Sequence, residues 1–287
     1  MKGIVLAGGT GSRLWPVTRV TSKQLLPVYD KPMIYYPIST LMLAGVREIL
    51  IITTPHDQPL FKELLRDGSQ FGLKISYELQ HKPEGLAQAL IIGEKFLNND
   101  SCLMILGDNI FYGAGLGGQL QTAFPNSGCH IFTYEVSNPT QYGVLNLDSN
   151  NSPVSVEEKP KAPKSRFAIT GLYFFDKSAS GIAKLISPSS RGELEITSVI
   201  DWYLQNGELT FTQLSRGTAW LDTGSANALD DAATYVRIIE ERTGLKIGCP
   251  EEISFKNGWI SKEILQNSFE LNSPQYSAYL RKLLDFS

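Results

Sequence analysis

A short apolar run, Gly3–Ala7, empties without a spacer into Gly8-Gly9-Thr10-Gly11-Ser12-Arg13. Few sequence features constrain a fold more. A run that is apolar at every position, not at alternate ones, reads as a strand covered on both faces, as in a parallel sheet. A cluster of glycines at its carboxyl end is where open α/β sheets bring backbone N–H groups around an anion. The spacing excludes two familiar forms of such a loop. No Lys-Ser or Lys-Thr follows Gly11, so it is not a Walker A loop, and counting GxGxxG from Gly9 puts Leu14 where the third glycine belongs. A formal GxGxxG does occur at Gly113, Gly115 and Gly118. It starts well after the apolar run Cys102–Leu106 ends, and it is predicted not to turn directly out of a strand. Arg13 and Lys23 flank the first loop, and a guanidinium fork with an ammonium nearby suits a polyphosphate better than a single carboxylate.

The rest of the chain repeats the alternation. Ile49–Thr53 and Cys102–Leu106 are also apolar at nearly every position. Between the first and second runs Met33, Ile34, Ile38, Leu41 and Met42 recur at helical spacing before Gly45, and a second helix is predicted after Gly85, ahead of the third run, with Leu86, Leu90, Gly93 and Leu97 on one side. From Ile131 onward strands dominate, at Ile131–Val136, Gly143–Leu147, Val154–Glu158 and Ile169–Phe175. Helices return at about Leu194–Gln205 and from Ala226 to about Arg242. This order predicts one continuous α/β layered unit, residues 1–243, with a small helical extension, 244–287, packed on it.

Charge and cysteine usage narrow the function classes. With 26 Lys+Arg against 29 Asp+Glu the formal charge is −3, so no global positive field recruits a nucleic-acid backbone or an anionic membrane. No apolar stretch approaches the roughly 18 residues that span a bilayer. The N-terminal apolar run is too short for a secretory core, which predicts a cytoplasmic chain. Cys102, Cys129 and Cys249 lie far apart and do not pair with His56, His81 or His130 at zinc-ligand intervals.

Leu6-Ala-Gly-Gly-Thr-Gly-Ser-Arg-Leu-Trp-Pro followed by Ser22-Lys-Gln-Leu-Leu-Pro closely resembles the sugar-nucleotide pyrophosphorylases, and in particular their thymidylyl-transferring members. The resemblance continues through Gly85-Leu-Ala-Gln-Ala, Leu106-Gly-Asp-Asn, Glu157-Glu-Lys-Pro, Arg191-Gly-Glu-Leu-Glu-Ile-Thr, Ala219-Trp-Leu-Asp-Thr-Gly and Cys249-Pro-Glu-Glu. It covers nearly the whole chain in order. It implies a Rossmann-like three-layer nucleotidyltransferase fold with a mixed, mostly parallel central sheet, and a homotetramer. It further implies Mg²⁺-dependent transfer of a thymidylyl group from dTTP to glucose 1-phosphate, giving dTDP-glucose and pyrophosphate for deoxysugar and polysaccharide synthesis.

The resemblance also distributes roles. Gly8, Gly9, Thr10, Gly11, Ser12, Arg13 and Lys23 are implied to hold the triphosphate. Gln24 and Gln80 would read the base, since an amide donates to a carbonyl and accepts from a pyrimidine N3–H, and Gly85 would permit close approach. Asp108 and Asp222 are implied to hold Mg²⁺, consistent with hard oxygen ligands completed by phosphates and water. Lys159, assisted by Arg191, would hold the sugar phosphate, and Asn109, Tyr142, Gly143, Glu158 and Ile169 would surround the glucose. A feedback site for a dTDP-sugar is expected near Tyr112-Gly113 and Cys249-Pro-Glu-Glu. Uracil presents the same edge as thymine, so a UTP-using enzyme stays open here, as does an NAD(P)-dependent oxidoreductase built on the Gly113 loop. Attack by a phosphate oxygen on an α-phosphorus needs no general base. Its obstacle is repulsion between anions, so positioning and charge neutralisation carry the catalysis.

Overall fold

In the computed structural model, which describes residues 1–9 and 11–285, the apolar runs form the middle of a nine-stranded mixed sheet. β1 (Lys2–Ala7) is followed by a hairpin of β2 (Pro27–Val28) and β3 (Lys31–Pro32), helix α1 (Tyr35–Leu43) and β4 (Glu48–Thr53). Next come α2 (Gln58–Leu65), β5 (Lys74–Leu79), α3 (Gln88–Ile92), α4 (Glu94–Leu97) and β6 (Cys102–Leu106). β1 lies between β4 and β6, parallel to both, and β5 extends the parallel half. Their alternate residues face opposite ways. Val5, Ile49, Ile51, Leu103 and Ile105 pack under α1 and α2, whereas Ile4, Leu6, Leu50, Ile52 and Met104 pack on the other face. Both faces are therefore apolar, and three layers result.

The antiparallel half uses β8 (Cys129–Glu135), β9 (Gly143–Leu147), β10 (Pro153–Glu158) and β11 (Phe167–Phe175). β11 joins the halves, pairing antiparallel with β6 and β8. α6 (Ala179–Leu185) and α7 (Ile196–Gln205) cover this region, and β12 (Leu209–Gln213) lies parallel to β8. A separate ribbon pairs β7 (Asn109–Tyr112) with β13 (Ala219–Asp222), and α5 (Leu116–Thr122) follows β7. α8 (Ala226–Thr243) then leads to α9 (Pro250–Lys256), α10 (Lys262–Asn267) and α11 (Pro274–Asp285). The last three helices enclose a small core of Ile260, Leu265, Tyr276 and Leu280. A buried ion network of Asp30, Lys31, Glu240 and Lys246 ties α8 and the segment after it to the β2–β3 hairpin.

Two sequence expectations change. The helix predicted after Gly85 is two short helices meeting at Gly93, where a Cβ would stand 2.8 Å from Ile4 Cδ1 on β1. The glycines at 113, 115 and 118 do leave a strand directly, because β7 ends at Tyr112. That strand pairs antiparallel in a two-stranded ribbon, not in a βαβ unit, so the context of a dinucleotide loop is still missing.

Candidate active site

The carboxyl ends of β1 and β6 open into a cavity of about 620 Å³. On one side the 3₁₀ turns Ser12–Leu14 and Lys23–Leu25 bring Gly9, Gly11, Ser12, Arg13, Lys23 and Gln24 to its wall. Gly11 adopts φ 60, in the left-handed region open to glycine at little cost. Thr10 lies outside the described residues. Gly8 borders the same region by contact with Gln80, which is itself buried and lines the cavity with Gly85.

The floor holds the acidic pair. Asp108 follows Gly107, whose N–H bonds the Leu6 carbonyl at 2.9 Å, so the turn after β6 is pinned to β1. The Lys23 ammonium is paired with the Asp108 carboxylate. Asn109 is almost wholly buried and donates Nδ2–H to Asp108 Oδ1 at 3.0 Å. Its Oδ1 accepts from Trp220 Nε1 at 2.6 Å and from the Gly171 N–H at 3.1 Å. Asp222 stands opposite Asn109 in the β7–β13 ribbon, and a Cβ on Gly224 would fall 3.2 Å from Asp222 Oδ1 and 3.3 Å from Arg13 Nη1. Burial first, then repulsion from Asp108, raises the Asp222 carboxyl to about 6 against the pull of Lys23 and Arg13. Two carboxylates thus line one partly desolvated cavity with two cations beside them. Among the described residues no group of three or more His, Cys, Asp or Glu could hold a metal ion.

The far wall carries the other group. Tyr142, Gly143, Glu158, Lys159, Ile169 and Arg191 all line the cavity. Lys159 follows β10 at φ 42, a left-handed conformation uncommon outside glycine, and its N–H bonds the Tyr142 carbonyl at 3.0 Å. Glu158 accepts from Thr197 Oγ1 at 3.0 Å, and burial raises its carboxyl above the ordinary range. Arg191 is held as a fork by Glu195 (Nε to Oε1 3.1 Å, Nη2 to Oε2 3.0 Å) and also meets Glu193 and Glu158. The near and far walls join where the Leu194 N–H bonds the Glu84 carbonyl at 2.7 Å and the Ala87 N–H bonds the Leu194 carbonyl at 3.0 Å.

A nucleotidyl transferase family model matches residues 2–237. The chain belongs to the nucleotidyl transferase family. Among curated relatives, a glucose-1-phosphate thymidylyltransferase of Mycolicibacterium smegmatis is 54% identical over 99% of each chain. A Neisseria meningitidis protein of the same name is 53% identical over 99% of each. Among solved structures, a Bacillus anthracis chain described as a glucose-1-phosphate thymidylyltransferase superposes with TM-score 0.76 at 40% identity, covering 83% of this chain and 95% of that one. A UDP-glucose pyrophosphorylase crystallised with UDP-glucose shares the fold at 22% identity and TM-score 0.74, covering 83% and 98%.

For this nucleotidyltransferase, sequence reasoning named four cations of the cavity, Arg13, Lys23, Lys159 and Arg191, and the carboxylates Asp108, Asp222 and Glu158, but missed what holds them. Glu195, Thr197 and Trp220 sit inside sequence blocks already singled out, yet their work is to anchor Arg191, Glu158 and Asn109, which only contact reveals. The segments around Tyr112-Gly113 and Cys249-Pro-Glu-Glu also meet, lining a second cavity of about 400 Å³. No helix among the described residues is long and apolar enough to cross a membrane.

Proposed function

We propose that the chain transfers a thymidylyl group from dTTP to glucose 1-phosphate, releasing pyrophosphate and forming dTDP-glucose. The observation that carries this reading is the convergence, in one cavity, of the glycine loop with Arg13 and Lys23 on one wall and Lys159 with Arg191 on the other. Two anionic substrates can be neutralised there separately and brought together over the acidic pair. Thymidylyl specificity rests on the names of relatives more than half identical over nearly the full chain.

Arg13 and Lys23 hold the triphosphate and stabilise charge on the departing pyrophosphate. Lys159 and Arg191 hold the sugar phosphate so that one of its oxygens faces the α-phosphorus in line with the leaving group. That oxygen attacks, the bond from the α-phosphorus to the bridging oxygen breaks, and no covalent enzyme intermediate forms. Gln24 and Gln80 meet the base, while Asn109, Tyr142, Gly143, Glu158 and Ile169 form the glucose pocket.

Asp108 and Asp222 fit Mg²⁺: two hard-oxygen donors on one cavity, one with its carboxyl raised by burial and then by the other, are relieved by a divalent cation. When bound, Mg²⁺ supplies polarisation of the α-phosphate and neutralisation of triphosphate charge. The same reading takes the enzyme as a cytoplasmic homotetramer whose second cavity receives a dTDP-sugar. Pyrophosphate release measured across dTTP, UTP, ATP and CTP with several sugar 1-phosphates tests the assignment. Turnover is expected to be fastest with dTTP and glucose 1-phosphate, and absence of turnover with that pair would refute it.

A further inference from the structure

Gln80 is one end of a directional chain of hydrogen bonds. Its Nε2 donates to Gln88 Oε1 at 2.6 Å. Gln88 Nε2 donates in turn to Glu84 Oε2 at 2.7 Å, and the Glu84 backbone N–H donates to Gln88 Oε1 at 3.2 Å. The two groups at the far end have fixed polarity: a carboxylate only accepts and a backbone N–H only donates. Both require Gln88 to turn its nitrogen toward Glu84 and its oxygen toward Gln80. Gln80 must then give its nitrogen to Gln88, which leaves its oxygen facing the nucleotide loop. There, Gln80 Oε1 lies only 2.0 Å from where a Cβ on Gly8 would stand.

An amide group that flips freely accepts from one base and donates to another. One held with its oxygen outward accepts from a pyrimidine N3–H and faces the bare N3 of cytosine with a second lone pair. We propose that Glu84 and Gln88 are positioning residues that fix the orientation of the Gln80 amide and thereby select a thymine-type edge over a cytosine edge. The proposal rests on the reading that Gln80 meets the base. It adds two residues, neither lining the cavity, that decide which hydrogen-bond pattern is accepted.

The test is titration calorimetry of dTTP and dCTP, each with Mg²⁺, on the full chain and its Gln88→Met, Glu84→Gln and Gln80→Ala variants. Gln88→Met keeps the side-chain length and removes both links, so the preference for dTTP over dCTP is expected to fall about threefold to tenfold, the worth of one neutral hydrogen bond. Glu84→Gln, nearly isosteric on an exposed residue, is expected to shift it in the same direction by less, because its backbone N–H still orients Gln88. A purely structural role would weaken both nucleotides by the same factor. If Gln80→Ala lowers the preference while Gln88→Met and Glu84→Gln leave it unchanged, the relay is wrong and the reading of Gln80 stands. If Gln80→Ala itself leaves the preference unchanged, that reading fails and the relay fails with it. Should Gln88→Met not fold, Glu84→Gln alone decides the matter.

Discussion

Gly85 is pressed against Leu194: a Cβ there would stand 2.3 Å from the Leu194 carbonyl oxygen and 2.5 Å from its nitrogen, and its φ is +117. This contact closes the loop after β5 onto the Arg191–Thr197 segment. It sets the distance between the wall assigned to the nucleotide and the wall assigned to the sugar phosphate. Gly85→Ala is therefore expected to lose about 3 kcal/mol of stability or more, since both backbone space and φ are denied. KM should rise for both substrates. Chemical denaturation and steady-state kinetics check this, and a neutral effect would mean the walls are not coupled here.

Asp222 is destabilising where it stands, and the proposed metal role is the reason to expect it there. An acid whose carboxyl is raised from 3.8 to about 6 destabilises the folded chain in full above about pH 6 and not at all below about pH 4. Without divalent cation, Asp222→Asn is expected to be about 2–3 kcal/mol more stable at pH 8, with the difference vanishing as pH falls through 6 toward 4. The same change should depress turnover by two or more orders of magnitude. Thermal melts in EDTA at several pH values, set beside turnover in Mg²⁺, read both effects.

Arg191 reaches three carboxylates with one planar fork. Lysine cannot reproduce that geometry. Arg191→Lys should raise KM for glucose 1-phosphate roughly tenfold and leave dTTP affinity nearly unchanged. An equal loss for both substrates would place Arg191 elsewhere in the reaction.

Glu240 accepts from Lys31 Nζ at 3.0 Å, Lys246 Nζ at 2.6 Å and the Ile247 N–H at 2.9 Å, and Lys31 is buried with it. Removing one member of such a network leaves a charge uncompensated, so Glu240→Ala is expected to cost about 3–5 kcal/mol. Limited proteolysis should then cut between α8 and α9 first. A variant melting like the parent would show that the network does not hold this junction.

The local grammar was legible along the chain. Gly3–Ala7, Ile49–Thr53 and Cys102–Leu106 read as strands covered on both faces because nearly every position is apolar, and they pair in parallel as expected. Arg13 and Lys23 could be named because cations flanking a glycine loop suit a polyphosphate, whereas Asp108, Asp222, Lys159 and Arg191 were named through the family resemblance of the blocks that carry them. The short β7–β13 ribbon was not legible. Its four-residue strands carry no period of their own, and they pair across more than 100 residues.

Side-chain type and the turn after β1 are properties of neighbouring residues, so the groups that line the cavity could be read along the chain. How those groups are aimed came from the folded chain: Asn109 is held by Trp220, Arg191 by Glu195, and Gln80 bonds Gln88. Hydrogen-bond polarity and desolvation depend on partners brought together in space, and no spacing along a chain encodes which atom of an amide faces a ligand.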